Sequence, residues 1–349
     1  MGGAAGHPRR RVVDLPDALR PVVHGDRRRR LDGGVYRPVR PGDGLGVLRP
    51  LPAGGRGGVS PRGPPPRHRR RPAQRQAATG PRHPAGTPLM LSYQHAYHAG
   101  NPADVHKHAA LAWMLAYLTR KDKPLSYIET HAGRGLYDLS GPEAARTGEA
   151  AAGIDRVLPR LPAEHPYAHV VRDTRAAHGP AAYPGSPRIA AALLRPGDTA
   201  HLAELHPAEN RALRAALRGT GFRVHAQDGL DLAASLCPPD PRRGLMLIDP
   251  SYEVKADYAA LPKRIAACAR AWPVGVIALW YPILRDPVHG PMLAALRRAH
   301  PQALNHAVGF APVRAGHRMV GSGLWVINPP FGLDAALAQI GALFDAPPG

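Results

Sequence analysis

The chain has 349 residues, and its 46 lysines and arginines outnumber its 26 aspartates and glutamates, giving a formal charge of +20. Its two cysteines, Cys237 and Cys268, are too few for a disulfide framework or a multi-cysteine zinc site. No stretch approaches the roughly 18 consecutive apolar residues of a membrane span, and the N-terminus lacks the apolar segment of a secretory signal. The composition excludes a membrane protein and predicts a cytoplasmic protein with a polyanionic partner.

Much of the positive charge lies in residues 1–89. This segment holds 19 arginines and no lysine, against five aspartates and no glutamate, and its aromatic residues other than histidine amount to one tyrosine. Such a composition cannot bury enough apolar surface to offset chain entropy, so we expect disorder. One interpretation is a basic arm that attracts nucleic-acid phosphates. We favour the other, translated GC-rich DNA ahead of a true start at Met90, and assign the segment no function.

From Met90 onward, helices alternate with strands. Asn101 followed by Pro102 predicts a helix start, because asparagine caps the first turn and proline suits the first helical position; this helix is expected to run to about Arg120. A strand at 125–129 and a glycine turn at 130–135 follow. Residues 138–195 are rich in Ala, Arg and Pro and predict a helical insertion. Further strands are predicted at 201–205, near 224, and at 245–248, 275–280, 304–312 and 318–328, and further helices at 208–217, 256–271 and 288–300.

This alternation predicts an α/β fold with a mainly parallel, doubly wound sheet, in which ligands bind at the carboxyl ends of the strands. Acids follow three strands there. Glu129 could take a hydroxyl or an ammonium, Glu204 could hold both ribose hydroxyls of an adenosine cofactor, and Asp228 could accept from an adenine amino group. Each also fits an ordinary turn or helix start. Because no dinucleotide-binding or P-loop glycine motif is present, the three acids together favour S-adenosylmethionine.

The strand at 245–248 ends in Asp249-Pro250-Ser251-Tyr252, similar to the [D/N/S]-P-P-[Y/F/W] signature of methyltransferases that act on exocyclic amino nitrogens of bases. An aromatic amine is a poor nucleophile because its lone pair is conjugated into the ring. The Asp249 carboxylate and the Pro250 carbonyl oxygen can accept its two N–H groups and favour a tetrahedral nitrogen. Tyr252 can stack on an extruded base. Ser251 replaces the usual second proline, which predicts a less rigid loop, although a plain turn would give the same string.

A second match to this signature, Asn328-Pro329-Pro330-Phe331, follows the last predicted strand. It lies far from the glycine turn in strand order, so we interpret it as a decoy that ends the sheet.

Histidines are dense between residues 95 and 131. They lack a carboxylate at metal-ligand spacing and a nearby cysteine, so no metal is predicted. Hydrogen bonds to a cofactor or stacking on RNA explain them equally well. Lys107 is interpreted either as a phosphate contact or as part of a solvated helix face. The histidines concerned are His95, His98, His106, His108 and His131.

Residues 90–349 resemble the bacterial 23S ribosomal RNA adenine-N6 methyltransferases of the large subunit methyltransferase J family. The most specific part is the opening segment 90–108, MLSYQHAYHAGNPADVHKH. The resemblance covers all of residues 90–349 and none of residues 1–89. The later matching segments, in the family's order, are 130–133, 183–187, 204–207, 228–229, 247–252, 278–282 and 327–330.

The resemblance implies a Rossmann-like class I methyltransferase fold with a small inserted helical subdomain and S-adenosylmethionine as cofactor. It implies methylation of N6 of one adenosine in 23S ribosomal RNA, giving N6-methyladenosine and S-adenosylhomocysteine. Asp249 takes the catalytic position, with Pro250 and Tyr252 beside it. Tyr93 takes the position of an RNA-contacting tyrosine, and His95 and Lys107 are also expected at the RNA. The implied cofactor contacts are His108, His131, Ser186, Glu204, Asp228 and Gly229.

The target adenine must leave its stack, which is cheapest in loops or in protein-free RNA. We therefore expect a monomeric enzyme that acts on naked 23S RNA or on an early assembly intermediate. Two alternatives stay open. A methyltransferase of the same fold could act on DNA adenine or another amine, which mass analysis of digested RNA and DNA would distinguish. The second alternative is an RNA-binding protein without catalytic activity, because Ser251 departs from the signature.

Overall fold

The computed structural model describes residues 95–313 and 316–345. The predicted extension 1–89 and the predicted RNA contact Tyr93 lie outside the described residues. Within the described ranges, no helix is both long and apolar enough to cross a membrane.

From residue 199 onward the predicted strands and helices are present, and the structure adds two helices that were not predicted, at Gly229–Leu236 and Leu333–Asp345. The strands are β1 (Ser126–Glu129), β2 (Leu136–Asp138), β3 (Ala182–Pro184), β4 (Thr199–Ala203), β5 (Arg223–His225), β6 (Gly244–Ile248), β7 (Val276–Leu284), β8 (Leu304–Gly309) and β9 (Met319–Ile327). The helices are α1 (Pro102–Thr119), α2 (Pro142–Thr147), α3 (Glu149–Ala152), α4 (Ile154–Val157), α5 (Pro166–His178), α6 (Ser186–Leu193), α7 (Pro207–Ala216), α8 (Gly229–Leu236), α9 (Ala256–Ala271), α10 (Gly290–Ala299) and α11 (Leu333–Asp345).

A seven-stranded sheet in the order β5-β4-β1-β6-β7-β9-β8 runs through the fold. Neighbouring strands from β5 to β7 are parallel, whereas β9 is antiparallel to both β7 and β8. The strand order reverses around β1, so the switch point where such sheets bind ligands lies between the carboxyl ends of β4, β1 and β6. This arrangement confirms the predicted Rossmann-like class I methyltransferase fold.

The central strands are buried on both faces because helices cover both sides of the sheet. Every residue of β1 and of β6 is buried, as expected for strands in the middle of a parallel sheet. The cluster on one side of the sheet includes residues of α1, α5, α6 and α11. The cluster on the other side includes residues of α9 and α10. Burial on both faces keeps the strand ends, and the side chains that follow them, in one rigid frame.

Helix α1 begins where the sequence predicts. Asn101 caps it by accepting the backbone N–H of Asp104 at 2.8 Å, and Pro102 occupies the first turn. The helix is buried along most of its length, including its polar residues, because it packs against α5, α6, α11 and β9. A polar residue in its second turn therefore faces protein rather than solvent.

The segment predicted as a helical insertion, 138–195, contains α2 to α6. At its base, β2 and β3 pair antiparallel in a separate two-stranded sheet, with Tyr137 opposite Tyr183. The chain that leaves β1 therefore returns to the same neighbourhood, and Ser186 begins α6 there. Helix α6 then packs against α1.

Candidate active site

A cavity of about 830 Å³ opens at the carboxyl ends of β1, β4 and β6, within the range of roughly 300–1,000 Å³ that small-molecule sites occupy. The sheet topology explains its position, since these ends meet at the switch point. Every predicted site residue that the structure describes lines this cavity: His95, Lys107, His108, His131, Ser186, Glu204, Asp228, Gly229, Asp249, Pro250 and Tyr252.

Asp249, directly after β6, is joined to Lys107 of α1. The Lys107 ammonium donates to Asp249 Oδ2 at 2.6 Å and lies 3.0 Å from Asp104 Oδ1. Burial alone would lower the pKa of Lys107, but the Asp249 and Asp104 carboxylates raise it above its ordinary value. Lys107 is therefore an ammonium at neutral pH, held between two carboxylates.

The interpretation of Lys107 as a phosphate contact or as part of a solvated helix face needs correction. Only 4% of its side chain is exposed, and its ammonium is engaged with Asp249 and Asp104. The ammonium also lies 5.4 Å from the centre of the Trp280 ring, a cation–π contact. These partners leave Lys107 facing the Asp249 carboxylate instead of an RNA backbone.

Asp104 is a site residue that is absent from the residues predicted above. Its Oδ2 lies 2.9 Å from His95 Nε2 and accepts the backbone N–H of Gly100 at 3.0 Å. Burial opposes its ionisation, yet His95, Lys107 and His108 hold the pKa of Asp104 well below its usual value. The available signal was the spacing of Asp104 to Lys107 and His108, three and four residues, which places them on one helix face.

His108 is a neutral imidazole deep in α1. Its Nδ1 lies 2.8 Å from the Tyr183 hydroxyl, which in turn lies 3.0 Å from the Tyr167 hydroxyl. Burial lowers the pKa of His108 to about 3. This ring stays uncharged through neutral pH and offers the cavity a hydrogen-bonding edge of fixed orientation.

At the end of β1, Glu129 supports the cavity wall without lining it. The Ser186 hydroxyl donates to Glu129 Oε1, and the Tyr127 hydroxyl donates to Oε2 at 2.9 Å. Burial raises the pKa of Glu129 to about 8. The expectation that Glu129 takes a ligand group directly is not met; the side chain that reaches the cavity is Ser186.

Glu204, after β4, stands at the cavity wall as predicted. Its Oε2 accepts the backbone N–H of Gly133 at 2.8 Å, and its Oε1 accepts that of His206 at 2.7 Å. Burial raises the pKa of Glu204 above its ordinary value, against the effect of these amides. Each carboxylate oxygen retains a lone pair, so the oriented side chain can still accept ligand hydroxyls.

The segment after β5 packs directly on the segment after β1. A Cβ at Gly229 would lie 1.7 Å from the carbonyl oxygen of Thr130, so only glycine permits this approach. Asp228 caps α8 by accepting the backbone N–H of Asp231 at 2.9 Å. His131 Nδ1 lies 2.7 Å from the Thr130 hydroxyl, and burial lowers the pKa of His131.

The loop after Asp249 turns sharply at Tyr252, whose φ is 57°. The Tyr252 hydroxyl donates to the carbonyl oxygen of Trp280 at 2.7 Å, and its ring lies 4.6 Å from that of Tyr258. Ser251 is exposed. That Tyr252 stacks on an extruded base remains a prediction, but the contacts hold its ring at the cavity wall. The Tyr258 hydroxyl, at the same cavity, is buried and has no hydrogen-bond partner within the described protein.

The second signature match lies elsewhere, as expected of a decoy. Asn328 follows β9, and the end of β9 pairs with the start of β7 because those strands are antiparallel. Its amide donates to the carbonyl oxygens of Pro273 and Gly275, at 2.9 and 2.8 Å. The motif therefore lies at the end of the sheet opposite the cavity.

Two of the predicted histidines serve contacts away from the cavity's centre. His106 faces β9, where its ring nitrogens lie 2.8 Å from the Ser322 hydroxyl and 3.0 Å from His306. His98 lies 3.1 Å from the Glu149 carboxylate. Over 95–313 and 316–345, the structure brings together no group of three or more His, Cys, Asp or Glu that could hold a metal ion.

Comparisons with known proteins agree with this fold and site. The family model described as Ribosomal RNA large subunit methyltransferase D, RlmJ, matches residues 122–346. Two relatives are named Ribosomal RNA large subunit methyltransferase J. The protein of Escherichia coli (strain K12) is 39% identical over 260 residues, which cover 72% of this chain and 91% of the relative. The protein of Haemophilus influenzae is 36% identical over 257 residues, with 72% and 92% covered.

A solved structure has the same fold. Protein LPL1258 from Legionella pneumophila superimposes with a TM-score of 0.65 at 36% identity, covering 70% of this chain and 92% of that one. Sequence, fold and relatives agree, and the chain belongs to the RlmJ family of ribosomal RNA large subunit methyltransferases.

Proposed function

We propose that this protein methylates N6 of one adenosine in 23S ribosomal RNA, with S-adenosylmethionine as the methyl donor. The observation that carries the proposal is Asp249, which ends a buried strand at the switch point with Pro250 behind it and Lys107 against its carboxylate. Membership of the RlmJ family supports ribosomal RNA as substrate and disfavours both a DNA methyltransferase and a silent RNA-binding protein.

The cavity wall fits the nucleoside part of the cofactor. The Glu204 carboxylate is held by two backbone amides and can accept both ribose hydroxyls. Gly229 lets the segment after β5 lie against the Thr130 carbonyl at the cavity wall. The unpaired Tyr258 hydroxyl offers a buried polar group to a ligand. When bound, S-adenosylmethionine supplies a methyl group carried on a positively charged sulfur.

Asp249 and Pro250 orient the target amine. The carboxylate and the carbonyl oxygen each accept one N–H, which turns the nitrogen lone pair away from the ring system and toward the methyl donor. The negative charge of Asp249 also stabilises the positive charge that develops on the nitrogen. Lys107 donates to Oδ2 of that carboxylate at 2.6 Å, which fixes the orientation of the acceptor as the base approaches.

The methylated nitrogen carries one proton more than the product. Because the cationic nitrogen is a strong acid, this proton leaves after methyl transfer, and Asp249 is positioned to accept it. An uncharged aromatic amine is a far weaker acid than a carboxylic acid, so a carboxylate does not deprotonate it before methyl transfer. Asp249 is therefore better suited to hold the N–H groups during transfer than to remove a proton beforehand.

The adenine must be extruded before it can be methylated, which favours RNA whose target base is easily unpaired and unstacked. Unpairing and unstacking are cheapest in naked RNA or an early assembly intermediate, which we propose as the substrate of a monomeric, cytoplasmic enzyme that uses no metal.

The test is transfer of a labelled methyl group to unmodified 23S RNA, with the modified nucleotide mapped by mass spectrometry. We expect N6-methyladenosine at one position and a loss of roughly 10²–10³-fold in Asp249→Asn. Phe331→Ala, in the second signature match and 89% exposed, is the matched control and should retain full activity. Unchanged methylation by Asp249→Asn, or methylation of DNA alone, would contradict the proposal.

A further inference from the structure

An arginine-rich surface begins beside the cavity and runs along α7 to the edge of the sheet. Residues 206–225 contain four arginines and a single acid, Glu209, for a net charge of +3, whereas residues 90–349 together carry +6. That acid is already neutralised, because Arg134 binds it through two hydrogen bonds of 2.9 and 2.7 Å. Glu209 therefore does not neutralise the arginines of this segment.

Helix α7 directs its own arginines to one side. Arg211 and Arg214 are three residues apart and exposed, with Leu213 buried beneath them, and exposed Arg218 follows in the turn after the helix. Arg214 also reaches the edge strand, where it donates to the carbonyl oxygen of Val224 at 2.5 Å. The helix surface and the edge of β5 are thus continuous.

Three further basic groups meet at that edge. Arg223 Nη1 lies 3.2 Å from His201 Nε2, and His201 Nδ1 lies 3.1 Å from His225 Nε2, with the two rings stacked at 5.2 Å. An arginine only donates, so His201 Nε2 accepts, His201 Nδ1 donates, and His225 carries its proton on Nδ1. The chain of hydrogen bonds therefore ends in a donor.

Among the residues that the structure describes, no carboxylate acts on the pKa of either histidine at this point. Burial lowers the pKa of His225, and so do Arg214 and Arg223; burial, His225 and Arg223 lower that of His201. A site that crowds positive and donor groups in this way is complementary to an anion.

We propose that this basic edge, comprising Arg211, Arg214, Arg218, Arg223, His201 and His225, binds the ribose–phosphate backbone of the RNA outside the target nucleoside. The inference rests on the proposed function. Helix α7 starts at the cavity, which His206 and Glu209 line, and Arg214 lies about 8 Å further along the helix than Glu209, at ~1.5 Å per residue. RNA that leaves the cavity can follow this surface, and guanidinium groups match phosphate geometry.

The experiment compares two triple variants that lose equal charge. Arg211→Gln/Arg218→Gln/Arg223→Gln removes charge from the basic edge. The control, Arg270→Gln/Arg297→Gln/Arg298→Gln, removes it from exposed positions on α9 and α10 that do not line the cavity. The Kd for a 23S RNA fragment is measured at several salt concentrations in the absence of methyl donor, and kcat is measured separately at saturating RNA.

We expect the edge variant to bind RNA on the order of tenfold more weakly and to reduce the slope of log Kd against log salt by about two. The control should keep the wild-type slope, and both variants should keep the wild-type kcat. An unchanged slope in the edge variant, or equal changes in both, would overturn the inference. Because binding is measured without methyl transfer, RNA bound through the edge but left unmethylated would refute only the proposed function.

Discussion

The Lys107 ammonium lies 2.6 Å from the Asp249 carboxylate, joining the second turn of α1 to the end of β6. A second carboxylate, Asp104, lies 3.0 Å from the same nitrogen and is tied to His95. The pairing fixes the Asp249 carboxylate at the place where acceptors would hold an amine. It also links the predicted catalytic position to the segment that opens the family resemblance.

Lys107→Met should reduce kcat by about 10²-fold, or ~2.7 kcal/mol. Without the ammonium, Asp249 loses the donor that fixes its carboxylate, and the Asp104 and Asp249 carboxylates repel each other. Steady-state kinetics with saturating RNA and methyl donor measure the effect. Lys263→Met, at an exposed position of α9, is the control and should keep the wild-type kcat, and a wild-type kcat in Lys107→Met would contradict the prediction.

Glu129→Gln should make the ligand-free protein less sensitive to alkaline pH. The folded-state pKa of Glu129 is raised from 4.5 to about 8, so the folded protein holds a proton that the unfolded chain releases between these values. Its contribution to stability is complete below pH 4.5 and is lost as pH rises to about 8. Thermal unfolding at pH 5 and pH 8.5 should show a smaller fall in Tm for the variant. An equal fall in Tm for both proteins would contradict the prediction, because it would mean that ionisation of Glu129 does not destabilise the fold.

Gly229→Ala should lower both stability and cofactor affinity. The new methyl group would lie 1.7 Å from the Thr130 carbonyl oxygen, so the segments after β1 and β5 must separate, and both line the cavity. Calorimetric titration of S-adenosylmethionine and thermal unfolding measure the two effects. Gly290→Ala is the matched control, because a Cβ there meets nothing within 4 Å. Equal affinity in the two variants would refute the expected coupling.

Glu149→Gln should loosen the inserted helices. Glu149 is buried in α3, where it accepts from the Asn101 amide at 3.2 Å and lies 3.1 Å from His98 and 3.9 Å from His317. Losing its charge should cost about 1–3 kcal/mol in the free energy of unfolding. Exposed Glu164→Gln, in the same insertion, should cost little.

The cost at Glu149 should also depend on pH. Burial opposes its ionisation, but His98, Asn101 and His317 lower the pKa of Glu149 below its ordinary value. The stabilisation is therefore present above pH 4.5 and is lost as pH falls through the folded-state pKa. Urea unfolding at pH 7 and pH 3.5 should show the difference between wild type and variant shrinking in acid; a difference that grows would contradict the assignment.

Local sequence features determined the start of α1, the class of fold and the predicted catalytic position. Capping and proline placed the start of α1, the alternation of apolar runs predicted a doubly wound sheet, and an acid followed by proline after a buried strand predicted the catalytic position. These features depend on neighbours within a few residues, so they can be recognised along the chain. The strand order of the sheet then brought residues from separate segments to a single cavity.

Only the tertiary structure decided what the polar residues of α1 contact. The local pattern around Lys107 predicts a phosphate contact or a solvated residue. In the structure Lys107 is the partner of Asp249, because α1 is packed on several sides. Glu129 looks like a ligand contact but is enclosed by Tyr127 and Ser186. The direction of β9 separates Asn328 from Asp249, although its motif fits better. In each case the partner lies far along the chain, and long-range packing determines which atoms meet.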